Sequence, residues 1–222
     1  MFPVGDDNSE ITRTEIVTWV LIGINVLVFV YQLMLGDGVQ AFITNWGTIP
    51  REITDGEDLH TLISSMFIHG GFAHIFGNML FLKVFGDNVE DRMGHGRFLI
   101  FYLITGLIAS LAHVILNPGS GIPSVGASGA ISGVLGAYIV MFRSNRVNVF
   151  WGYGIFQVPA WMMIGFWALQ QFLATFATIA QTEQTEGGVA YAAHAGGFVA
   201  GVILAFVFGG VRGGVRGGRR WR

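Results

Sequence analysis

The chain has 222 residues, 52% of them hydrophobic and 12% charged, with a formal net charge of -2. Its mean hydropathy of +0.58 implies more apolar surface than one soluble core of this length can bury, which excludes an ordinary water-soluble domain. The absence of cysteine excludes disulfides, thiolate metal sites and a cysteine nucleophile.

Residues 1–15 are polar and mildly acidic, and the apolar run 16–35 that follows is too long for a secretory signal and lacks its cleavage pattern, so it reads as a first transmembrane helix. The connection from Gly36 to about Ser65 carries Ile43, Trp46, Ile49 and Ile53, the pattern of an amphipathic insert lying at the interface. A second span is expected at 71–85, followed by a charged loop Asp87-Asn88-Val89-Glu90-Asp91-Arg92, and a third at 98–116. After the Pro118-Gly119 turn come spans at 126–142, 158–180 and 188–208, and a basic tail at 209–222. The apolar runs are continuous rather than alternating, which disfavours a β-barrel. The expected fold is therefore all-α: residues 1–222 as one polytopic membrane domain of six transmembrane helices with a long interfacial first loop.

Positive residues in short loops stay on the cytoplasmic side. Six spans put both termini on one side, which then carries Arg13, Arg92, Arg97, Arg143, Arg146 and the five arginines of the tail, while the opposite loops carry only Arg51. Both termini are thus expected in the cytoplasm, with the tail arginines on anionic lipid head groups and no nucleic-acid partner.

This topology sorts the polar residues of the spans by depth. Ser128 lies just inside the fourth span, His194 just inside the sixth, His69 at the mouth of the second, His74 inside it, and Asn78 one turn further on the same face as His74. A shared layer of costly polar groups is by default a functional site. A serine beside a neutral histidine suits acyl transfer, with Ser128 as nucleophile and His194 as base. The Ser128 N–H at a helix start, Asn78 and His74 are candidate oxyanion donors. No carboxylate lies at this depth, so His194 must be held by packing or by a neutral hydrogen bond, in a dyad rather than a triad.

His69-x4-His74-x3-Asn78, Gly126-x-Ser128-Gly129 and His194-x2-Gly197-x3-Gly201, with Trp46-Gly47-x2-Pro50 and Gly86-x3-Glu90-x-Arg92, resemble in order and spacing the rhomboid intramembrane serine proteases. The resemblance covers nearly the whole chain. It implies a cofactor-free endopeptidase that cleaves single-pass or multi-pass transmembrane proteins near the extracytoplasmic ends of their spans. Ser128 and His194 would be catalytic, His74, Asn78 and the Ser128 N–H would form the oxyanion hole, and His69 would be a structural hydrogen-bonder. Two positions depart from the family pattern: Leu59-His60-Thr61 stands where many members carry a Trp-Arg pair, and Ser132 stands where many carry an aromatic that stacks on the histidine. With no transit peptide evident, a plasma or inner membrane is expected, with the site opening to the extracytoplasmic side.

Other readings of the same residues are plainer. Gly126, Gly129, Gly133 and Gly136 form a small-residue face suited to packing against Gly197 and Gly201, and such packing is also what a Ser128–His194 contact would need. A metal site at His69 and His74 is disfavoured because their spacing does not share a helical face and no carboxylate lies beside them. Glu90 and Arg92 read as a structural knot, His95 as loop surface and His113 as a helix-end residue. A non-proteolytic binder or chaperone of transmembrane helices is the alternative function. A transporter ranks third, for want of inverted repeats.

Overall fold

The apolar run opening at Ile16 forms α1 (Ile16–Met34), and its burial pattern is inverted relative to a helix in water. Thr18, Asn25 and Gln32, spaced seven apart, face inward with Leu21 and Phe29, while Trp19, Leu27, Val30, Leu33 and Met34 face out. Apolar side chains outward and polar ones paired inward is the arrangement a bilayer solvent selects.

The computed structural model describes residues 2–9, 11–180 and 190–209, with only the backbone at 178–180. In the first loop, α2 (Val39–Trp46), α3 (Pro50–Thr54) and α4 (Thr61–Ser64) precede the long helices α5 (Phe72–Met93), α6 (His95–Leu116), α7 (Ser128–Met141), α8 (Ala160–Ala180) and α9 (Tyr191–Phe208). Among the described residues, four helices are long and apolar enough to cross a membrane: Ile16–Met34, His95–Leu116, Ala160–Ala177 and Tyr191–Phe208. The chain is a mostly helical, multi-pass membrane protein. The expected basic tail lies outside the described residues beyond Gly209.

Two expectations are corrected. First, Asp87–Arg92 is not a loop: α5 runs on to Met93, and Gly94, with φ +83°, ends it. The charges that read as a loop are used inside the fold. Glu90 is fully buried and accepts hydrogen bonds from the Val17 and Thr18 N–H groups (both 2.8 Å) and from the Thr18 hydroxyl (2.7 Å). The first turn of α1, whose own N-cap Glu15 makes no capping bond, is therefore capped from another helix. The fourth partner of Glu90 is His95 Nδ1 at 2.6 Å, so His95 belongs to this knot rather than to the loop surface. The buried Nε of Arg92 has no hydrogen-bond partner among the described residues. Asp91 holds the Thr12 and Arg13 N–H groups at 3.0 and 2.7 Å.

Second, the fold is not all-α. β1 (Phe2–Asp6), β2 (Arg146–Trp151) and β3 (Gly154–Pro159) form an antiparallel sheet in the order β1-β2-β3, with Phe2 opposite Phe150 and Asp6 opposite Val147. In β2 the alternation is plain: Val147 and Val149 are buried and Arg146 and Phe150 exposed. Gly152, at φ +60°, sits in the turn that returns the chain as β3.

The first loop docks on the segment leading into α7. Thr48 and Ser124 exchange both backbone hydrogen bonds (3.0 and 2.8 Å), and the Thr48 hydroxyl donates to the Thr61 carbonyl and shares a hydrogen bond with the Ser65 hydroxyl, both at 2.8 Å. These contacts anchor the loop where a Trp-Arg pair is lacking, helped by His60 edge-on to the Trp46 ring at 5.4 Å.

Helix α7 lies at the centre, with every residue from Gly129 to Tyr138 buried. A Cβ on Gly197 would collide with the Gly129 carbonyl, and one on Gly201 with the Gly133 carbonyl. The steps of four residues match, so α7 and α9 run parallel with backbones in contact. On the opposite flank, a Cβ on Gly129 would lie 2.7 Å from Ala109 Cβ of α6. The contact of Gly197 and Gly201 with α7 is as the sequence suggests, but the α7 glycines do not form one face toward it: Gly126 faces His74 and Asn78 of α5, Gly129 and Gly133 face α6, and Gly136 faces α9.

Glu90→Ala strands the buried donors of α1 and is expected to lower unfolding stability in detergent by about 3 kcal/mol, read by thermal or denaturant unfolding. A second prediction concerns Asp6, whose carboxyl accepts from Asn88 Nδ2 at 2.7 Å and from the Tyr138 hydroxyl. Burial, opposed by the Tyr138 hydrogen bond and assisted by Asp87, raises its pKa from 3.8 to about 7. The folded state therefore keeps a proton that the unfolded chain releases from about pH 4 upward, and stability falls as pH rises toward 7. Asp6→Asn is expected to flatten the dependence of the unfolding temperature between pH 5 and 8.

Candidate active site

Ser128 is the first residue of α7, and the backbone before it is tightly steered. The Gly126 N–H donates to the Ser65 carbonyl at 2.9 Å, and Gly126 adopts φ +126°, a conformation that disfavours a side chain. There is also no room for one: a Cβ on Gly126 would lie 2.7 Å from His74 Nε2 and 3.6 Å from Asn78 Nδ2. Gly126 thus lets α5 bring both side chains against the turn that presents Ser128. Asn78 is buried, and its Nδ2 has no hydrogen-bond partner among the described residues. A buried amide donor without an acceptor is costly unless a ligand supplies one.

His194 lies in the first turn of α9, level with Ser128 because the two helices run parallel in contact. Its Nε2 is 2.8 Å from Ser128 Oγ. The other ring nitrogen, Nδ1, is 2.7 Å from Gln171 Oε1 of α8. Trp167, one turn before Gln171, packs on the ring at a centroid distance of 6.1 Å and 35° between planes, and Tyr191 meets it edge-on at 6.5 Å. The requirement that packing or a neutral hydrogen bond hold His194 is met by both. The fully buried Ser132 contributes nothing to the ring and instead donates to the Ser128 carbonyl at 2.6 Å.

His69 packs its ring edge-on to His74 at 5.1 Å, while its backbone N–H and C=O are both held by the Gln32 amide (3.1 and 2.9 Å). His113 lies in the last turn of α6, where its carbonyl accepts from Asn117. A cavity of about 20 Å³, lined by Ser65, Ser110, Ser124 and Ser128 among others, adjoins the serine. That is room for one water with polar partners.

The structure therefore brings Ser128, His194, His74, Asn78 and Gly126 together, while Glu90 and Arg92 lie away on the far stretch of α5. Gln171 and Trp167 are not found by the sequence reading. Their signal is nevertheless present: a glutamine in an otherwise apolar span, with a tryptophan four residues earlier on the same face.

Comparison with known proteins agrees with this architecture. The family model described as Rhomboid domain matches residues 56–211. Rhomboid protein 1, mitochondrial, of Saccharomyces cerevisiae is 32% identical over 201 residues, which is 86% of this chain and 53% of that protein. RHOMBOID-like protein 5 of Arabidopsis thaliana is 30% identical over 183 residues, 79% of this chain and 52% of that protein. Rhomboid protease GluP of Bacillus subtilis is 33% identical over 130 residues, 58% of this chain and 25% of that protein. The matched stretches thus span a quarter to about half of these relatives' lengths. With the family model matching well over half of its residues, the chain belongs to the rhomboid family.

Proposed function

We propose that this protein is an intramembrane serine endopeptidase that cleaves transmembrane segments of other membrane proteins near their extracytoplasmic ends. The observation that carries the reading is the 2.8 Å contact between His194 Nε2 and Ser128 Oγ, made by side chains from two different helices. In this mechanism Ser128 Oγ attacks the scissile carbonyl and passes its proton to His194 Nε2. The Ser128 N–H at the start of α7, the free Asn78 amide and His74 stabilise the oxyanion. His194 then returns the proton to the leaving amine, and a water enters to release the acyl group.

The depth of the site supports hydrolysis. Helix α7 has 14 residues and is about 21 Å long at 1.5 Å per residue, against about 30 Å of hydrocarbon. With its far end at one membrane boundary, Ser128 sits about 9 Å below the other, beside the small polar cavity that has room for a water. We take α1, α5, α6, α7, α8 and α9 as six spans with both termini in the cytoplasm, in a plasma or inner membrane. The lipid contacts proposed for the tail arginines follow from that topology. A substrate helix must unwind to expose a peptide bond, so helix-breaking residues near the cleaved bond are expected.

The test is purified protein reconstituted with a model transmembrane substrate. Ser128→Ala and His194→Ala are expected to abolish cleavage, and Asn78→Ala to lower kcat roughly 100-fold. Undiminished cleavage by either dyad variant rejects the mechanism. Failure of Ser128 to react with a fluorophosphonate would favour a helix-binding relative without protease activity.

A further inference from the structure

We propose that Gln171 is a positioning residue that selects the tautomer of His194 needed for catalysis, its neutral carbonyl standing where a triad has a carboxylate. The proposal rests on the protease reading of the Ser128–His194 pair. Both ring nitrogens of His194 have one polar neighbour: Oε1 of Gln171 at 2.7 Å from Nδ1, and Oγ of Ser128 at 2.8 Å from Nε2. A neutral imidazole has a single N–H to place. With the proton on Nδ1 it donates to the Gln171 carbonyl, and the free lone pair of Nε2 faces the serine hydroxyl, ready to take its proton. With the proton on Nε2, two lone pairs confront each other at Nδ1, and the ring donates to the serine instead of activating it. The glutamine carbonyl therefore favours the competent form.

The surroundings leave this task to Gln171. Among the described residues no carboxylate contacts His194, and Ser132 is turned away to the Ser128 carbonyl. Gln171 and His194 are each only 9% exposed, so water does not readily substitute for the missing partner. Trp167, on the same face of α8, limits rotation of the ring while Gln171 sets its proton. When His194 takes the serine proton it carries two N–H groups, and the Gln171 carbonyl then accepts from a cation, a stronger bond than to the neutral ring. A glutamine, unlike a carboxylate, does this without adding a charge within the membrane.

The test pairs Gln171→Met, which keeps the length and removes the acceptor, with Gln171→Glu, which keeps an acceptor oxygen. With a model transmembrane substrate in liposomes, Gln171→Met is expected to lower kcat about 10- to 100-fold with KM unchanged, the rate equivalent of one hydrogen bond to a charged group. Histidine-selective 15N NMR in detergent, with His194 identified by difference from His194→Ala, is expected to show Nδ1 protonated in the wild type and in Gln171→Glu. The Gln171→Met spectrum is expected to show a mixture of tautomers. A kcat within twofold of wild type in Gln171→Met, or an unchanged tautomer in that variant, overturns the proposal. So does a wild-type ring protonated on Nε2, which would mean the amide points its NH2 group at Nδ1. If Gln171→Met does not fold, Gln171→Asn, one methylene short of the ring, takes its place with the same expected results. Loss of cleavage in Ser128→Ala alongside an undisturbed Gln171→Met refutes this inference alone, whereas cleavage persisting in Ser128→Ala refutes the protease reading and leaves the tautomer measurement standing.

Discussion

Two helix backbones in direct contact are the constraint on which the rest of this molecule depends. Ser128 and His194 are 66 positions apart in sequence and on different helices, and neither side chain is long. They meet because glycine at 197 and 201 leaves room in α9 for the Gly129 and Gly133 carbonyls of α7, while the missing side chains of Gly129 and Gly133 admit Ala109 and Thr105 of α6. In a bilayer, where lipid is as apolar as leucine, such close van der Waals packing is a main source of helix association. The surrounding helices fit themselves to this pair: α6 presents Ala109 to it and α5 presents His74 and Asn78 across Gly126.

A second regularity runs through the fold. Several strongly polar side chains set inside apolar helices reach a specific group on another element. Thr18 meets Glu90, Gln32 meets the His69 backbone, and Gln171 meets His194. Where water cannot satisfy a donor, such bonds choose one packing of the helices over its neighbours in register. Asn78 differs from these: its buried amide nitrogen has no partner among the described residues and faces the turn that presents the serine.

Much of this was legible from the chain. Apolar length located the long helices, glycine spacing predicted the α7–α9 seam, and a depth argument put Ser128, His194, His74 and Asn78 in one layer. What escaped did so for physical reasons. Charge at Asp87–Arg92 was read as exposure to water, but these carboxylates cap a helix and tie down the amino-terminal segment, and such partners are distant in sequence. The sheet was hidden because β1 and β2 are 140 residues apart by number, and five-residue alternation carries little signal. Gln171 has no motif around it; its meaning depends on which way α8 faces, which periodicity does not fix.

The shortness of α7 has a consequence for the surrounding lipid. A helix about 9 Å shorter than the hydrocarbon layer normally forces the bilayer to thin or the helix to be pulled, at an elastic cost that rises with mismatch. Here Gly129 to Tyr138 are buried against other helices, which under the proposed topology shields most of the short segment from lipid. The mismatch is internal to the protein. Under the proposed six-span topology, the depth at which Ser128 lies is then governed by the lengths of the neighbouring helices rather than by lipid packed against α7.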